Sequence, residues 1–236
     1  HDKWGYRDPI ATMFFEHASP AHRFLLAQPW FLALDEADRQ DVRDACFPLS
    51  ARRGEIALPD HEPTQGWYAV MHGLVKLSAR GPRGRRSDYL GVAAGEWFGE
   101  GTVLKKEPRR YQVIALRDTE LLCVPSATFH ALAARNLAFN QFLVERLNLR
   151  LAQAMAMVEA GRTRSPEQRI ALALSRLFWN RLRQLDLTQD ELASLAGMSR
   201  QTANRALCEL QARGLIGQAF NRITVRDDEG LMQLLR

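Results

Sequence analysis

The spacing of hydrophobic and polar positions changes three times along the chain and divides it into four stretches. Residues 1–20 show no regular spacing, so we expect them to form an N-terminal arm. The first stretch continues over residues 21–45, which are typical of short helices, with Asp35 as the N-cap of the helix that carries Val42 and Ala45. Between about 47 and 125, short apolar runs are separated by Gly and Pro, which predicts a sandwich or a barrel-like β-roll.

Four runs in this second stretch have the spacing of strands: WYAVMHGLVKLSA, SDYLGV, YQVIAL and ELLCV. Gly73 interrupts the first run and predicts two strands there. We expect GPRGRR, at 81–86, to be an exposed hairpin tip whose arginines are solvated. The stretch GEWFGEGTVLKKEPRR, at 95–110, admits two interpretations, because it fits either a tight turn of a β structure or a cradle for a phosphate.

The third stretch, 136–161, has no proline and predicts one long helix. Its apolar positions are spaced by 3, 4, 3 and 4 residues, as in a coiled-coil seam. We therefore interpret it as a dimerisation helix, 136–162, with the seam Val144, Leu147, Leu151, Ala154 and Val158. The alternative is that these residues pack against the helix's own domain. Arg162, Arg164 and Pro166 then indicate a hinge.

The fourth stretch contains the most specific pattern, LTQDELASLAGMSRQTANRALCELQARGLI at 187–216. Thr188 and Glu191 have the spacing of a capping box that begins a helix. The small Ala193, the turn residue Gly197 and the cap Ser199 follow in the order that is typical of a helix-turn-helix. In that motif the second helix enters the major groove of DNA.

The second helix of the motif has one polar and one apolar side. Arg and the amides Asn and Gln are the side chains that pair with base edges, so we expect the polar side to contact DNA. The expected contacts are Arg200, Gln201, Asn204 and Arg205, with Thr188, Ser199 and Thr202. Cys208 belongs to the same arc, whereas Ala203, Ala206, Leu207 and Leu210 lie opposite. An ordinary amphipathic surface helix would also have a polar arc, but it would not need the cap, the turn glycine and the small residue together.

After Gly214 the sequence alternates and turns at Asn221, which predicts a β-hairpin. A hairpin after a helix-turn-helix makes a winged helix. We expect Asp227 to cap a short final helix.

Composition narrows the possible functions. The chain is 46% hydrophobic and 25% charged, as in ordinary globular proteins, and its net charge of +5 is compatible with a phosphate-bearing partner. No apolar run is long enough to span a bilayer, so we expect a cytoplasmic protein with no membrane partner.

The sequence shows no arrangement typical of a catalytic or metal site. Cys46, Cys123 and Cys208 lie too far apart for a zinc or iron–sulfur ligand set. A metal-dependent barrel oxidoreductase would need clustered His and carboxylate ligands, which His61 and His72 do not provide. We therefore expect no catalytic residue, no metal and no enzymatic activity.

A β-roll, a long helix and a winged helix in this order resemble the CRP/FNR superfamily of bacterial transcription regulators. The resemblance covers about residues 21–226, and WFGEGTVLKKEPRRYQV and SRQTANRAL are its most specific parts. It implies an α+β fold with a jelly-roll-like sensor domain (21–135), the dimerisation helix (136–162) and a winged helix-turn-helix (163–236). It also implies a homodimer that binds a pseudo-palindromic operator in double-stranded DNA and contacts RNA polymerase.

The cyclic-AMP-binding relatives have a Gly-Glu pair, nine residues and then Arg-Ser-Ala. Here Gly99 and Glu100 are followed after nine residues by Arg110, so Glu100 matches the ribose ligand and Arg110 the phosphate ligand. The candidate effector contacts are Gly99, Glu100, Gly101, Arg110, Tyr111 and Met155.

The chain departs from these relatives at several positions. Tyr111 and Gln112 replace Ser and Ala, while Ala154 and Met155 replace the hydroxyl pair that meets adenine. His61 to Thr64 replace a G-[DE]-P-A turn. The effector therefore stays open between cyclic AMP, another phosphate-bearing ligand and no nucleotide. In the second helix, Arg200 and Arg205 match two arginines of the family, and Gln201 replaces its glutamate.

Two functions from different classes remain to be compared. The first is a homodimeric, sequence-specific DNA-binding transcription regulator of the CRP/FNR type, gated by an effector in the β-roll. The second is a small-molecule binding module that regulates a partner protein and keeps a vestigial helix-turn-helix.

Overall fold

The computed structural model describes residues 19–81, 86–180 and 182–236. Most of the predicted arm at 1–20 and the centre of the predicted hairpin tip at 81–86 lie outside the described residues. The described chain begins with three short helices, α1 (Pro20–Leu26), α2 (Pro29–Leu32) and α3 (Glu36–Ala45). The Asp35 side chain accepts a hydrogen bond from the Asp38 amide at 2.8 Å and caps α3, as predicted.

Eight strands follow in the part of the roll that the structure describes, in two antiparallel four-stranded sheets. The first sheet has the order β1 (Phe47–Ala51), β8 (Thr119–Pro125), β3 (Gly66–His72) and β6 (Trp97–Phe98). The second has the order β2 (Ile56–Leu58), β7 (Gln112–Ala115), β4 (Leu74–Arg80) and β5 (Arg86–Ala93). Alternate apolar residues of both sheets face each other, which produces the predicted β-roll.

Gly73 separates β3 from β4 because only glycine fits there. Its φ is +92°, and a Cβ atom would come within 2.4 Å of the Asp118 carbonyl oxygen. The glycine-rich stretch at 95–110 is more than the tight turn of a β structure. After β6 it forms a helical segment that the spacing did not indicate, α4 (Glu100–Lys105), and Gly99 at its start has a φ of +92°.

The first sheet packs against helices on its outer side. Helix α5 (Ser126–Arg135) and the long helix α6 (Leu137–Thr163) follow β8 directly. The rings of Trp30, Trp67, Trp97 and Phe139 form the centre of this layer, with Trp67 and Trp97 stacked at 3.9 Å between ring centroids. This aromatic layer fixes the start of α6 against the roll.

One face of helix α6 packs against the rest of its own chain. Phe139, Leu143, Gln153 and Ala160 are buried on that face. The predicted seam residues lie on a different face and are exposed: Val144, Leu147, Leu151, Ala154 and Val158. They do not fill the core of their own domain, so the alternative left open above does not fit the structure.

The rest of the chain forms the predicted winged helix-turn-helix. Its helices are α7 (Pro166–Ala173), α8 (Arg176–Trp179), α9 (Gln189–Leu195), α10 (Arg200–Ala212) and α11 (Asp228–Leu234). Its sheet has the order β10 (Ile216–Ala219), β11 (Arg222–Val225) and β9 (Gln184–Leu185). Asn221 turns the hairpin with a φ of +54°, and Asp227 caps α11, both as predicted.

The winged helix docks directly on the roll. Its hydrophobic core continues into Leu74, Ala93 and Leu116 of the roll. Gly91 of β5 permits this contact, because a Cβ there would lie 2.5 Å from the ring of Trp179. Among the described residues, no helix is long and apolar enough to cross a membrane.

Candidate functional site

The helix-turn-helix is built by its own caps, as the sequence predicted. Thr188 and Glu191 form both hydrogen bonds of the capping box, and the Ser199 hydroxyl accepts from the Thr202 amide at 3.2 Å. Gly197 turns the chain with a φ of +67°. Arg169 of α7 donates to the carbonyls of Ala196 and Gly197, at 2.7 Å each. These two hydrogen bonds fix the turn against α7.

Helix α10 presents the predicted polar arc to solvent. Arg200, Gln201, Arg205 and Cys208 are exposed and Asn204 is half-buried, while Ala203, Ala206, Leu207 and Leu210 are buried. The predicted hydroxyls Thr188, Ser199 and Thr202 lie beside this arc at the starts of the two helices. The structure thus places four of the seven predicted contacts on the polar arc of α10 and the three hydroxyls at the starts of α9 and α10.

Three neighbours of the arc, Gln189, Gln218 and Gln211, were missed by the sequence analysis. Asn204 donates to the Gln189 side chain at 2.8 Å, and Gln189 donates to Gln218 of the wing at 2.8 Å. Gln218 in turn donates to Gln211 at 2.7 Å. This chain of amides ties α9, α10 and the wing together, and it joins residues too far apart in sequence for local spacing to reveal.

Two exposed arginines of this face are paired with nearby acids. The Arg200 guanidinium lies 3.0 Å from the Asp190 carboxylate, and that of Arg222 lies 2.9 Å from Asp186. Both pairs are well exposed, and such pairs contribute little to stability. A phosphate can therefore replace either carboxylate at low cost.

A second candidate site lies where α4 meets the long helix. A cavity of about 300 Å³ is lined by six residues of interest: Gly99, Glu100, Gly101, Arg110, Tyr111 and Arg150. The first five are predicted effector contacts. Met155, the sixth predicted contact, does not line it and is 64% exposed on the seam face of α6.

Glu100 is the buried acid of this cavity. Its Oε1 lies 3.6 Å from Nε of Arg150, while its Oε2 is buried without a hydrogen-bond partner. Arg150 also donates to the Trp97 carbonyl at 2.8 Å and to Gln153 at 2.9 Å. Burial lowers the pKa of Arg150, and the Glu100 carboxylate opposes that shift. The contacts of Arg150 with Glu100 and with the Trp97 carbonyl connect the long helix to the cavity.

The two consecutive arginines have different surroundings. Arg109 is buried, donates to the Pro59 carbonyl at 2.7 Å and lies over the Tyr68 ring, so it supports the fold. Arg110 is 81% exposed and 3.5 Å from Glu107, so its guanidinium is available at the cavity mouth.

The Tyr111 ring occupies space that a serine would leave empty. Burial raises the pKa of its hydroxyl, which therefore stays protonated.

Two family models match the chain. A cyclic nucleotide-binding domain matches residues 48–136, and a Crp-like helix-turn-helix domain matches residues 168–234. The first contains the lining of the cavity at α4 except for Leu147 and Arg150 of α6, and the second contains the polar arc.

Curated relatives extend over most of the chain. The Cyclic AMP receptor protein of Thermus thermophilus is 30% identical over 164 residues, which cover 69% of this chain and 76% of that protein. The Transcriptional regulator SdrP of the same organism is 30% identical and covers 73% of this chain and 85% of itself. The CRP-like cAMP-activated global transcriptional regulator of Mycobacterium tuberculosis is 25% identical, with coverage of 80% and 88%.

Solved structures share the fold. FixK2 from Bradyrhizobium japonicum matches with a TM-score of 0.68 at 24% identity, over 80% of this chain and 96% of that one. A CRP/FNR-family transcriptional regulator from Thermus thermophilus matches with a TM-score of 0.61 at 26% identity, over 80% and 98%.

Proposed function

The chain belongs to the CRP/FNR superfamily of transcription regulators, and we propose that it binds a pseudo-palindromic operator as a homodimer. The observation that carries this proposal is the exposed polar arc of α10, which is held by intact caps and a fixed turn. A vestigial helix-turn-helix would not need these features. The alternative, a small-molecule module acting on a partner protein, is therefore not favoured.

We assign the roles of the elements as follows. Residues 21–135 sense an effector, 136–162 hold the two protomers together, and 163–236 bind DNA. Arg200 and Arg205 pair with guanine edges, and Gln201 and Asn204 contact the neighbouring bases. Thr188, Ser199 and Thr202 contact the phosphates. The protein acts in the cytoplasm, on promoters that RNA polymerase transcribes.

A salt-dependent DNA-binding measurement tests this function. Operator DNA obtained by selection from a random library should bind the full-length protein, and the logarithm of its affinity should fall linearly with that of the salt concentration. Arg205→Ala should cost about 1–3 kcal/mol of specific binding and relax the preference at one base pair. Arg213→Ala, at an exposed position just after α10, is the control. Equal binding of selected and random DNA would contradict the proposal.

The cavity at α4 supports a nucleotide-type effector. The unpartnered Glu100 Oε2 is placed to accept from a hydroxyl, and Arg110 and Arg150 provide charge for a phosphate. Two of the relatives carry cyclic AMP in their names. Tyr111 and the seam position of Met155 do not fit adenine in the manner expected of those relatives, so the base is not assigned.

Calorimetric titration with cyclic AMP, cyclic GMP and cyclic di-GMP tests the effector site. Binding of one nucleotide should be lost in Arg110→Ala and weakened in Glu100→Gln. Arg80→Ala, at an exposed position at the end of β4, should bind as the wild type does. Binding that survives Arg110→Ala would place the nucleotide elsewhere, and no heat with any of the three would exclude them as effectors.

A further inference from the structure

The tip of the wing carries a phenylalanine that the fold does not use. The strands of the wing, β10 and β11, are joined by a two-residue turn, Phe220 and Asn221. The Phe220 side chain is 94% exposed, whereas that of the seam residue Leu151 is 58% exposed. Phe220 therefore contributes to neither the hairpin nor the core of the winged helix.

The turn itself does not require a phenylalanine. Asn221 has a φ of +54°, a backbone conformation that asparagine adopts more readily than most residues with a side chain. The other residues that turns favour are Gly, Pro, Asp and Ser. Because single exposed apolar side chains are common on protein surfaces, the position of Phe220 is more informative than its exposure alone.

The hairpin holds its tip in a fixed place. Gln218, two residues before Phe220, forms side-chain hydrogen bonds with Gln189 of α9 at 2.8 Å and with Gln211 of α10 at 2.7 Å. The other strand of the wing, β11, pairs with β9. The contacts on both strands make the hairpin a rigid support for Phe220.

A groove separates this tip from the polar arc. It is a cavity of about 470 Å³, lined on the side of the wing by Phe220 and on the side of α9 and α10 by Thr188 and Arg200. In the proposed complex α10 occupies the major groove, and Thr188 contacts a phosphate at its border. The groove then holds one sugar-phosphate strand. Because such a strand separates the major groove from the minor groove, Phe220 on the far side meets the minor groove.

The composition of the hairpin favours DNA over a protein partner. Residues 216–226 contain Arg222 and Arg226 and no Asp or Glu. Proteins that bind the minor groove combine Arg and Asn side chains, which read its acceptors, with apolar wedges such as Phe. Phe220, Asn221 and Arg222 are consecutive and provide all three.

We propose that Phe220 is an apolar wedge, which enters the minor groove next to each half-site and unstacks one base step. This inference rests on the proposed DNA-binding function. Pyrimidine–purine steps (TA and CA/TG) kink and unstack most easily. The wedge therefore gives the protein a preference for such a step, which depends on the deformability of the DNA and is separate from the base contacts of α10.

The first test is parallel binding-site selection with the wild type, Phe220→Ala and Phe220→Leu. Leu32→Ala, which removes an exposed apolar side chain from α2, is the control. All four proteins should select the same half-sites, because α10 is unchanged. Phe220→Ala alone should lose the pyrimidine–purine step at one symmetric position, since leucine can also act as a wedge. The melting temperature of Phe220→Ala should equal that of the wild type, because the side chain is exposed.

The second test measures binding to the operator that the wild type selects. Phe220→Ala should bind it several-fold more weakly, with an unchanged salt slope because no phosphate contact is lost. Replacing the flexible step by AA, the step of stiff A-tracts, should weaken the wild type several-fold and Phe220→Ala hardly at all. A 2-aminopurine base in the flexible step should fluoresce more when the wild type binds than when Phe220→Ala binds, because unstacking relieves its quenching.

Two results would overturn the inference, and both differ from a failure of the proposed function. Identical selected sites and equal affinity of Phe220→Ala and the wild type would show that the tip does not contact DNA. A loss of transcription in Phe220→Ala would then assign Phe220 to a protein partner. Weaker binding by Phe220→Ala with the same 2-aminopurine fluorescence would show a contact that unstacks no base. If the wild type selected no operator, the proposed function itself would be wrong.

Discussion

At the scale of single residues, Asp190 and Arg200 have opposite expected effects on DNA binding. Their side chains pair at 3.0 Å beside the polar arc, both well exposed. Asp190→Asn should free Arg200 and remove a charge that repels phosphates, so operator affinity should rise a few-fold at low salt and less at high salt. Fluorescence anisotropy at two salt concentrations measures this, with Asp44→Asn of α3 as the charge-matched control. Weaker binding would show that Asp190 positions Arg200 for DNA, and unchanged binding would show that the pair does not oppose DNA binding.

Gln201 offers a test of base specificity at the same scale. Its side chain is exposed on α10, where it replaces the glutamate of the cyclic-AMP-responsive relatives. Gln201→Glu should shift the preferred base pair toward one that presents cytosine N4, because a carboxylate accepts from that amino group. Binding-site selection with the wild type and with Gln201→Glu measures this change in the preferred base pair. Identical selected sites would remove Gln201 from the base contacts.

Several residue-level features were predictable because they depend on near neighbours in sequence. The caps Asp35, Thr188, Ser199 and Asp227 bond amides three residues away. The Glu100–Arg150 pair and the Gln189–Asn204 hydrogen bond were not predictable, because the tertiary fold joins residues 50 and 15 positions apart. For the same reason, the sequence did not indicate which of the two consecutive arginines is buried, Arg109 or Arg110.

At the scale of elements, α6 divides its two faces between its own protomer and the proposed partner. Leu151→Glu would place a charge in the apolar seam, so it should weaken both dimerisation and operator binding. Ala152→Glu adds the same charge one position along, away from the seam, and should leave both intact. Light scattering with anisotropy measures the two properties. A fully dimeric Leu151→Glu protein would show that protomers meet through another surface.

Helix α6 was predictable, whereas α4 was not. The seam extends over fifteen residues, 144–158, and its regular spacing predicts a helix without any tertiary information. Helix α4 has only six residues and three close glycines around it, so its sequence is compatible with a turn. The contacts of Glu100 and Val103 inside the roll decide its conformation.

At the scale of the whole molecule, Glu191 links the roll to the helix-turn-helix. Burial raises the pKa of Glu191, but hydrogen bonds from Arg117 and Thr188 outweigh burial and leave it below its ordinary value of 4.5. A depressed pKa contributes stability above the pKa of the unfolded chain, and this contribution is lost as the pH falls below about 4.5. The free energy of unfolding of the wild type should therefore fall more steeply in acid than that of Glu191→Gln. The exposed Glu209→Gln should follow the wild type, and parallel curves for all three would show that the link contributes nothing.

The central claim is that two copies of this chain bind inverted half-sites through α10. Binding-site selection with full-length protein, followed by hydroxyl-radical footprinting of the selected duplex, tests it most directly. We predict two inverted half-sites whose centres lie about 34 Å apart, roughly one turn of DNA, with protection on one face of the duplex. A single unrepeated site, or protection without sequence preference, would contradict the account.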